Sequence, residues 1–289
     1  MLLDGKTAIV TGSSKGLGRG FVTGLAKAGA CVVVNGTVAD DVAKVVDEIK
    51  SGGGKAVGCV ESVATMAGAQ RIIQTALDKF GHLDILVNNA GVLRDRTFLR
   101  MTEEEWDTVI AVHLKGHFAC TKAAAVSMSQ QQSGRIINIT AGVAWAGNVG
   151  QANYISAKAG ILGFTYALSQ ELARYNITVN AVRPGALTRM TMPVIEKILQ
   201  RGREEALKRN APAPTAFEMG YGEPEMVAPI VVYLASDEAK DITGKIFSLS
   251  GEILSVRSRN VEVASATMRG GWTVGELSKR FKTVFGKAL

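Results

Sequence analysis

The chain has 289 residues, of which 47% are hydrophobic, 6% are aromatic and 32 are glycines. This composition excludes a disordered or fibrous chain and suits one principal domain in which glycine turns join many buried aliphatic strands. The formal net charge is +7. No aromatic-studded basic stripe accompanies that charge, so we expect no nucleic-acid partner.

Cysteine spacing and hydropathy exclude several further classes of protein. Three scattered cysteines have neither CxxC nor metal-ligand spacing, so we expect reduced core residues and no metal site. The first residues lack the pattern of a signal peptide, and no run approaches the roughly 18 apolar residues of a membrane span. We therefore expect a cytoplasmic protein with no membrane partner.

Apolar runs rich in valine and isoleucine alternate with amphipathic stretches at helical spacing, which indicates βαβ units around a parallel sheet. Each run is continuous, as expected of a strand that is buried on both faces. The fold class is therefore predicted to be α/β, a single-domain, doubly wound parallel sheet of the Rossmann-type three-layer α/β/α kind. Strands are predicted at 7–11, 31–35, 56–60, 85–88, 135–139, 178–182 and 246–249.

Two helices have clear sequence signals. One has an apolar face that ends before the glycines at 52–54, and its face consists of Val38, Val42, Val45, Val46 and Ile49. The other begins at Thr102, where Glu105 completes a capping box.

Two segments stand outside the alternating core of the predicted dinucleotide-binding domain, 1–250. The polar segment 187–225 is predicted to be a lid over the substrate. The extension 251–289 carries seven basic and three acidic residues. In it, Trp272 and the amphipathic pattern of Leu277, Phe281, Val284 and Phe285 suggest a packed helix.

A glycine-rich turn connects the first predicted strand to a helix. Gly12 permits the tight turn, Gly16 lets the backbone approach a diphosphate, and Gly18 allows close packing of helix on strand. The start of the helix supplies N–H donors to the phosphates. The pattern therefore predicts a dinucleotide site, with an ordinary glycine turn as the alternative. The residues assigned to it are Gly12, Ser14, Lys15, Gly16, Leu17 and Gly18.

The end of the second strand decides which dinucleotide fits, because an acid there would repel a 2′-phosphate. Here the residues are Asn35, Gly36 and Thr37, none of them a carboxylate. Lys15 in the glycine loop is a cation within reach of a 2′-phosphate, although a solvated loop lysine is the alternative. We expect NADP(H) to be favoured over NAD(H).

Tyr154 and Lys158 lie four residues apart on a predicted helix, so their side chains face the same way. An ammonium close to a phenol favours the phenolate and lowers the phenol pKa from about 10. Tyr154 is therefore a candidate general acid in a reduction and a candidate base in an oxidation.

In combination and in order, from about Asp4 to Ser250, these motifs resemble those of the short-chain dehydrogenase/reductase family. Within it, 92–96 and 112–116 are similar to the (3R)-hydroxyacyl-CoA dehydrogenase part of peroxisomal multifunctional enzymes. The stretch 147–154 is similar to those enzymes and to β-ketoacyl-ACP reductases. The resemblance implies an oxidoreductase that transfers a hydride between NADP(H) or NAD(H) and a 3-oxo/3-hydroxyacyl thioester of CoA or ACP.

The resemblance also implies roles for residues outside the glycine loop. Glu61 and Ser62 would hold the adenine, and Thr188 would meet the nicotinamide carboxamide. The remaining implied cofactor residues are Asn89, Ala90, Gly91, Pro184 and Gly185, together with Tyr154 and Lys158. Arginines available to CoA phosphates, unless they form a solvated helix face, are Arg189, Arg201 and Arg203.

Members of the family usually form dimers or tetramers through the fourth and fifth helices. An apolar face is compatible with a homodimer or homotetramer, although it would serve equally as core. That face consists of Ile161, Leu162, Phe164, Thr165 and Leu168.

The chain departs from the family pattern at two positions. His113 replaces an asparagine that organises a proton relay, and it would either bridge to Lys158 through water or pack between helices. Ala141 replaces the serine that donates to the substrate oxygen, and Thr140 would take over only if the backbone turns at Gly142.

Losing such a donor typically costs about 10²–10³ in kcat. One alternative function is therefore a catalytically impaired dinucleotide-binding subunit paired with an active homologous chain. Another is a dehydrogenase of a different secondary alcohol, such as a sugar or a steroid.

Overall fold

The protein is described by a computed structural model that covers residues 1–188, 192–209, 212–219 and 221–257. Its strands in these ranges are β1 (Thr7–Val10), β2 (Cys31–Gly36), β3 (Lys55–Val60), β4 (Ile85–Asn88), β5 (Gly134–Ile139), β6 (Ile177–Gly185), β7 (Ile246–Ser250) and β8 (Ile253–Arg257).

Helices lie between the strands. They are α1 (Gly16–Lys27), α2 (Ala39–Ser51), α3 (Met66–Phe80), α4 (Glu103–Ile110), α5 (Gly116–Gln131), α6 (Val143–Ala146), α7 (Ala152–Glu171), α8 (Met192–Lys208) and α9 (Ala228–Ala235). A π-helical segment, Ala111–Lys115, joins α4 to α5. Short 3-10 turns lie at Phe98–Arg100, Ala173–Tyr175, Pro224–Val227 and Asp237–Ala239.

The strands form one sheet in the order β3-β2-β1-β4-β5-β6-β7-β8. The pairings from β3 across to β7 are parallel. The chain first proceeds outward from β1 to β3 and then returns to place β4 on the other side of β1. A doubly wound sheet opens a ligand crevice where the winding direction reverses. The predicted α/β fold class is confirmed.

Helices cover both faces of the sheet. On one face α1, α2 and α9 pack over strand residues such as Val10, and Phe21 of α1 is fully buried there. On the other face α3 and α5 bury Ile9, with Ile72 of α3 at its centre. These two apolar layers hold the carboxyl ends of the strands in fixed positions.

All seven predicted strands are present, with ends that differ by up to three residues. The largest difference is in β6, which continues to Gly185 because Arg183 and Pro184 pair with β7. The sequence predicted no strand beyond residue 250, but the structure has one more there. Gly251, with φ of +56°, precedes the additional strand β8. The side chains of β8 are all exposed, so the strand leaves no burial pattern in the sequence.

The two helix signals in the sequence also correspond to helices. α2 ends at Ser51, directly before the glycines. At α4 the capping box is formed, because the Thr102 hydroxyl accepts from the Glu105 N–H and the Glu105 carboxylate accepts from the Thr102 N–H.

Much of the apolar face proposed for association is core within this chain. Ile161 and Thr165 are buried, and Leu162 packs against Ala181 and Ile246. These side chains therefore do not need a second subunit to cover them.

The chain divides into two compact units, Met1–Val256 and Arg257–Leu289. Of the second unit, only Arg257 is among the described residues. Arg189, Trp272 and the amphipathic pattern at 277–285 lie outside them, as does the side chain of Arg201. Arg203 is exposed on α8. No helix among the described residues is long and apolar enough to span a bilayer.

Candidate active site

A cleft of about 480 Å³ opens at the carboxyl ends of the central strands. This volume is within the range of small-molecule pockets. Predicted site residues that line it are Gly12, Ser14, Lys15, Gly16, Leu17, Gly18, Asn35, Gly36, Thr37, Glu61, Ser62, Asn89, Ala90, Gly91, His113, Thr140, Tyr154, Lys158, Pro184 and Thr188. Gly185 is not among the residues that line the cleft, and it lies within the sheet opposite Ser250.

The glycine loop has the backbone that a diphosphate site requires. Gly12 and Gly16 have φ of +62° and +54°, which glycine adopts without strain. A Cβ on Gly12 would lie 2.8 Å from the Ala90 Cα, so no larger residue fits there. α1 starts at Gly16 with no side-chain cap and no acid in its first turn. Its first N–H groups therefore suit an anion, and the loop fits a dinucleotide.

Asn35 braces the loops around this end of the cleft. Its Oδ1 accepts from the Gly12 N–H at 3.1 Å, and its Nδ2 donates to the carbonyls of Cys59 and Glu61 at 3.1 and 3.0 Å. The side chain thus joins the glycine loop to the end of β3. Its predicted contact with the cofactor stays a prediction.

Two charged residues of the predicted site have partners that sequence reasoning missed. Lys15 Nζ lies 2.5 Å from a carboxylate oxygen of Asp41, which also lines the cleft. Glu61 forms a two-pronged ion pair with Arg71, and this guanidinium lowers the pKa of the Glu61 carboxyl. The only sequence signal in each case was an opposite charge on a later helix, Asp41 on α2 and Arg71 on α3.

Thr11 and Asn89 fix the loop after β4 against the glycine loop. Asn89 Nδ2 donates to the carbonyls of Thr11 and Gly12 at 2.9 and 3.1 Å. The Thr11 hydroxyl accepts from the N–H groups of Asn89 and Ala90 at 2.9 and 3.1 Å. Sequence reasoning did not select Thr11, although it directly precedes the first glycine.

His113 is buried against the same loop. Its Nε2 lies 3.0 Å from the nitrogen and 2.8 Å from the oxygen of Val92. A Cβ on Gly91 would overlap the imidazole, so a glycine is required there. Burial, and then the nearby Lys158, lower the pKa of His113 to about 3. His113 is therefore neutral and holds the 91–92 main chain in place.

The Tyr154 and Lys158 side chains meet in the cleft, with Lys158 Nζ 5.7 Å from the centroid of the phenol ring. Lys158 is 3% exposed and donates to the Ile139 carbonyl at 2.6 Å. Burial lowers the pKa of Lys158 to about 7. Burial, and then the Asp95 carboxylate, raise the pKa of Tyr154 to about 12.

The expectation that Lys158 lowers the pKa of Tyr154 is wrong for the protein without a bound cofactor. The ammonium loses its proton at a lower pH than the phenol does. No cation is therefore present when the phenol ionises. Near neutral pH Tyr154 carries its proton, which suits a proton donor better than a base.

The hydroxyl at Thr140 points to the main chain. Its Oγ1 donates to the Lys158 carbonyl at 3.1 Å, within the buried contact between β5 and α7. Ala141 lines the cleft beside it without a hydroxyl. The Thr140 hydroxyl therefore already donates to a main-chain carbonyl. That Thr140 takes over the role of the family's serine stays a prediction.

Asn153 is a buried residue that sequence reasoning missed. Its Nδ2 donates to the carbonyls of Arg94 and Glu105, each at 3.0 Å, and its Oδ1 accepts from the Tyr154 N–H at 2.7 Å. These bonds fix the first turn of α7 and hence the direction of Tyr154. An asparagine in the first turn of a predicted helix was the available signal.

Comparison with known proteins agrees with this arrangement. The family model described as short chain dehydrogenase matches residues 6–198. A 3-oxoacyl-(acyl-carrier-protein) reductase of Synechocystis is 44% identical over 86% of this chain and 97% of its own length. A reductase of the same name from Thermotoga maritima is 36% identical over 88% of this chain and 100% of its own length.

Solved structures are also similar. A short chain dehydrogenase from Mycobacterium avium has a TM-score of 0.83 and 38% identity, covering 99% of this chain and 96% of its own. A putative gluconate dehydrogenase from Agrobacterium tumefaciens has a TM-score of 0.77 and 33% identity, covering 86% and 96%. The expected class of enzyme, an NAD(P)-dependent oxidoreductase acting on CH–OH groups, is confirmed. This chain belongs to the short-chain dehydrogenase family.

Proposed function

We propose that the protein reduces the 3-oxo group of an acyl thioester to a 3-hydroxyl group, with NADPH as the hydride donor. The observation that carries the proposal is the meeting of Tyr154 and Lys158 in the cleft that contains the glycine loop. The substrate class is supported by curated relatives, named 3-oxoacyl-(acyl-carrier-protein) reductases, that align over nearly their whole length.

The dinucleotide would be held by the glycine loop, the end of β2 and the 89–91 loop. When bound, NADPH would supply a hydride to C3 of the substrate. Tyr154 would give its phenolic proton to the C3 oxygen, which would complete the hydroxyl group. Its raised pKa keeps that proton in place until the oxygen becomes basic.

Lys158 and His113 prepare this transfer. We propose that Lys158 regains its charge when the cleft holds the anionic cofactor, because a nearby negative charge favours the ammonium. A charged Lys158 would then stabilise the phenolate that remains on Tyr154. His113 keeps Gly91 and Val92 at the wall of the cleft.

We also propose that 187–225 acts as the substrate lid. The two ends of this segment are joined, because Ala186 pairs with Gly222 and the Leu187 N–H donates to the Gly222 carbonyl at 2.8 Å. Thr188 lines the cleft, and its carbonyl accepts from the Met192 N–H at the start of α8. Both ends of the segment are thus anchored beside the proposed nicotinamide position.

The test is NADPH oxidation with acetoacetyl-CoA and with the same acyl group on ACP. We expect turnover by the wild-type chain and a loss of about 10²–10⁴ in kcat for Tyr154→Phe, because the proton donor is removed. Tyr175→Phe removes a phenol outside the cleft and should keep full activity. Equal rates for Tyr154→Phe and the wild type would defeat the proposal.

Two alternatives have their own support. Ala141 lines the cleft and the Thr140 proton is committed to Lys158, which favours a catalytically impaired subunit paired with an active homologue. The similarity to a putative gluconate dehydrogenase favours a secondary alcohol of the sugar class as substrate. Turnover of gluconate but of no acyl thioester would support the second alternative, and binding of NADPH without any turnover would support the first.

Assembly remains a proposal as well, with a homodimer or a homotetramer as the expected states. Light scattering of the purified chain tests it. A monomer at micromolar concentration would contradict the proposed assembly without affecting the proposed chemistry.

A further inference from the structure

An ion pair bridges the end of the cleft that we assign to the adenosine half of the cofactor. Lys15 Nζ and an Asp41 carboxylate oxygen lie 2.5 Å apart, and both residues line the cleft with Gly36 and Thr37. The two side chains are 54% and 26% exposed, so the pair is accessible from the cleft.

The fold brings these two side chains together from separate loops. Lys15 directly precedes α1 in an extended conformation, with φ of −152° and ψ of 164°. Asp41 lies in the first turn of α2, where the helix dipole favours an acid. A Cβ on Gly36 would lie 2.8 Å from the Ser14 hydroxyl, so the glycine loop and the end of β2 are in contact. Their charged neighbours therefore meet across the cleft.

This position gives the cleft a carboxylate that the end of β2 lacks. The residues Asn35, Gly36 and Thr37 bring no negative charge toward a 2′-phosphate. Asp41 brings one from the following helix and also holds the lysine that a 2′-phosphate would use. A 2′-phosphate that formed an ion pair with Lys15 would leave the Asp41 carboxylate unpaired. Two anions, the carboxylate and the phosphate, would then lie side by side, which is unfavourable.

We propose that Asp41 is a specificity-determining residue that, by holding Lys15, lowers the affinity of the cleft for 2′-phosphorylated dinucleotides relative to unphosphorylated ones. This inference rests on the proposed function, which places the adenosine ribose at this end of the cleft. Lys15 would favour NADP(H), and Asp41 would limit that preference.

The experiment measures dissociation constants by calorimetry for NADPH, NADH, 2′,5′-ADP and 5′-AMP. Asp41→Asn should tighten NADPH and 2′,5′-ADP by about three- to fivefold, the upper part of the range for one exposed charge pair, and change NADH and 5′-AMP less than about twofold. The matched control is Asp40→Asn, which removes the same charge from the same helical turn outside the cleft lining. It should change every constant less than about twofold.

A second variant tests whether Asp41 acts through Lys15. In a Lys15→Met background, Asp41→Asn should tighten NADPH less than it does in the wild type, because the lysine that it releases is absent and only the direct repulsion between Asp41 and the phosphate is relieved. An effect of the same size in both backgrounds, an equal effect of Asp40→Asn, or no effect of Asp41→Asn would overturn the inference. Failure of the wild-type chain to bind either dinucleotide would overturn the proposed function, and the Asp41 assignment with it. Binding of both with no effect of Asp41→Asn would overturn only the assignment.

Discussion

The imidazole of His113 lies edge-on to the phenol of Tyr154, with ring centroids 5.1 Å apart and an interplanar angle of 86°. The same imidazole contacts both main-chain polar atoms of Val92. One buried side chain therefore connects the proposed proton donor to the loop after β4. Edge-to-face pairs of this kind stabilise a fixed ring orientation.

His113→Leu should lower kcat about tenfold, more than it raises KM, because the loop at Gly91 and Val92 and the ring of Tyr154 lose a common support. His113→Asn, which keeps a polar group, should recover much of that rate. Since the pKa of His113 is lowered to about 3, the kcat profile of the wild type should show no inflection near pH 6.5 from this residue. A profile that loses an inflection near 6.5 in His113→Asn would contradict a neutral, positioning His113.

Binding of the dinucleotide should take up protons at pH 8. By itself the chain holds Lys158 with a pKa lowered to about 7, so the amine is mostly neutral at that pH. An anionic cofactor should raise this pKa and protonate the amine. Calorimetry in two buffers of different ionisation enthalpy measures the uptake. It should vanish in Lys158→Met and persist in Lys122→Met, where the lysine lies over Phe118 on α5 outside the cleft. Uptake that survives in Lys158→Met would refute the explanation.

Ala141→Ser should raise kcat about ten- to a hundredfold, because it adds a donor to the oxygen that becomes negative during reduction. Ala146→Ser, an exposed position on the adjacent helix α6, is the control and should have no effect. Steady-state kinetics with acetoacetyl-CoA measure both.

Thr140→Val should lower the melting temperature and change kcat little, because the Thr140 hydroxyl donates to the Lys158 carbonyl. If Ala141→Ser leaves the rate unchanged while Thr140→Val abolishes it, Thr140 serves as the missing donor.

Stability should fall as the pH decreases below about 6.5, before the carboxylates titrate. His113 and His117 are buried, and burial lowers the pKa of both below the value in an unfolded chain. The contribution of these neutral histidines to the free energy of unfolding is complete above about pH 6.5. It is lost as the pH falls toward their pKa values in the folded chain, because in this range only the unfolded chain binds the protons. Each histidine should contribute at most about 1.4 kcal/mol per pH unit to the free energy of unfolding.

Urea unfolding between pH 7 and pH 5.5 measures this slope. His113→Asn should reduce it, whereas Ala146→Ser, which changes no titratable group at an exposed position, should leave it unchanged. A slope that is identical in all three proteins would show that the buried histidines do not control the acid sensitivity.

The order of strands and helices could be predicted without the structure, because valine and isoleucine runs buried on both faces leave a continuous pattern. The sequence also identified the glycine loop and the Tyr154 and Lys158 pair, since four-residue spacing on a helix fixes a common face. The exposed strand β8 left no such pattern and was missed. Contacts between distant segments were equally invisible, because nothing in the local sequence states which loops meet.

The partners of the polar side chains became visible only in the folded chain. It paired Lys15 with Asp41, directed the Thr140 hydroxyl to the Lys158 carbonyl, and joined the Asn153 side chain, which sequence reasoning missed, to the Tyr154 N–H. It also reversed the expected direction of the Tyr154 pKa shift. The physical reason is burial, because the cost of removing a charge from water depends on the whole surrounding fold and not on neighbours along the chain.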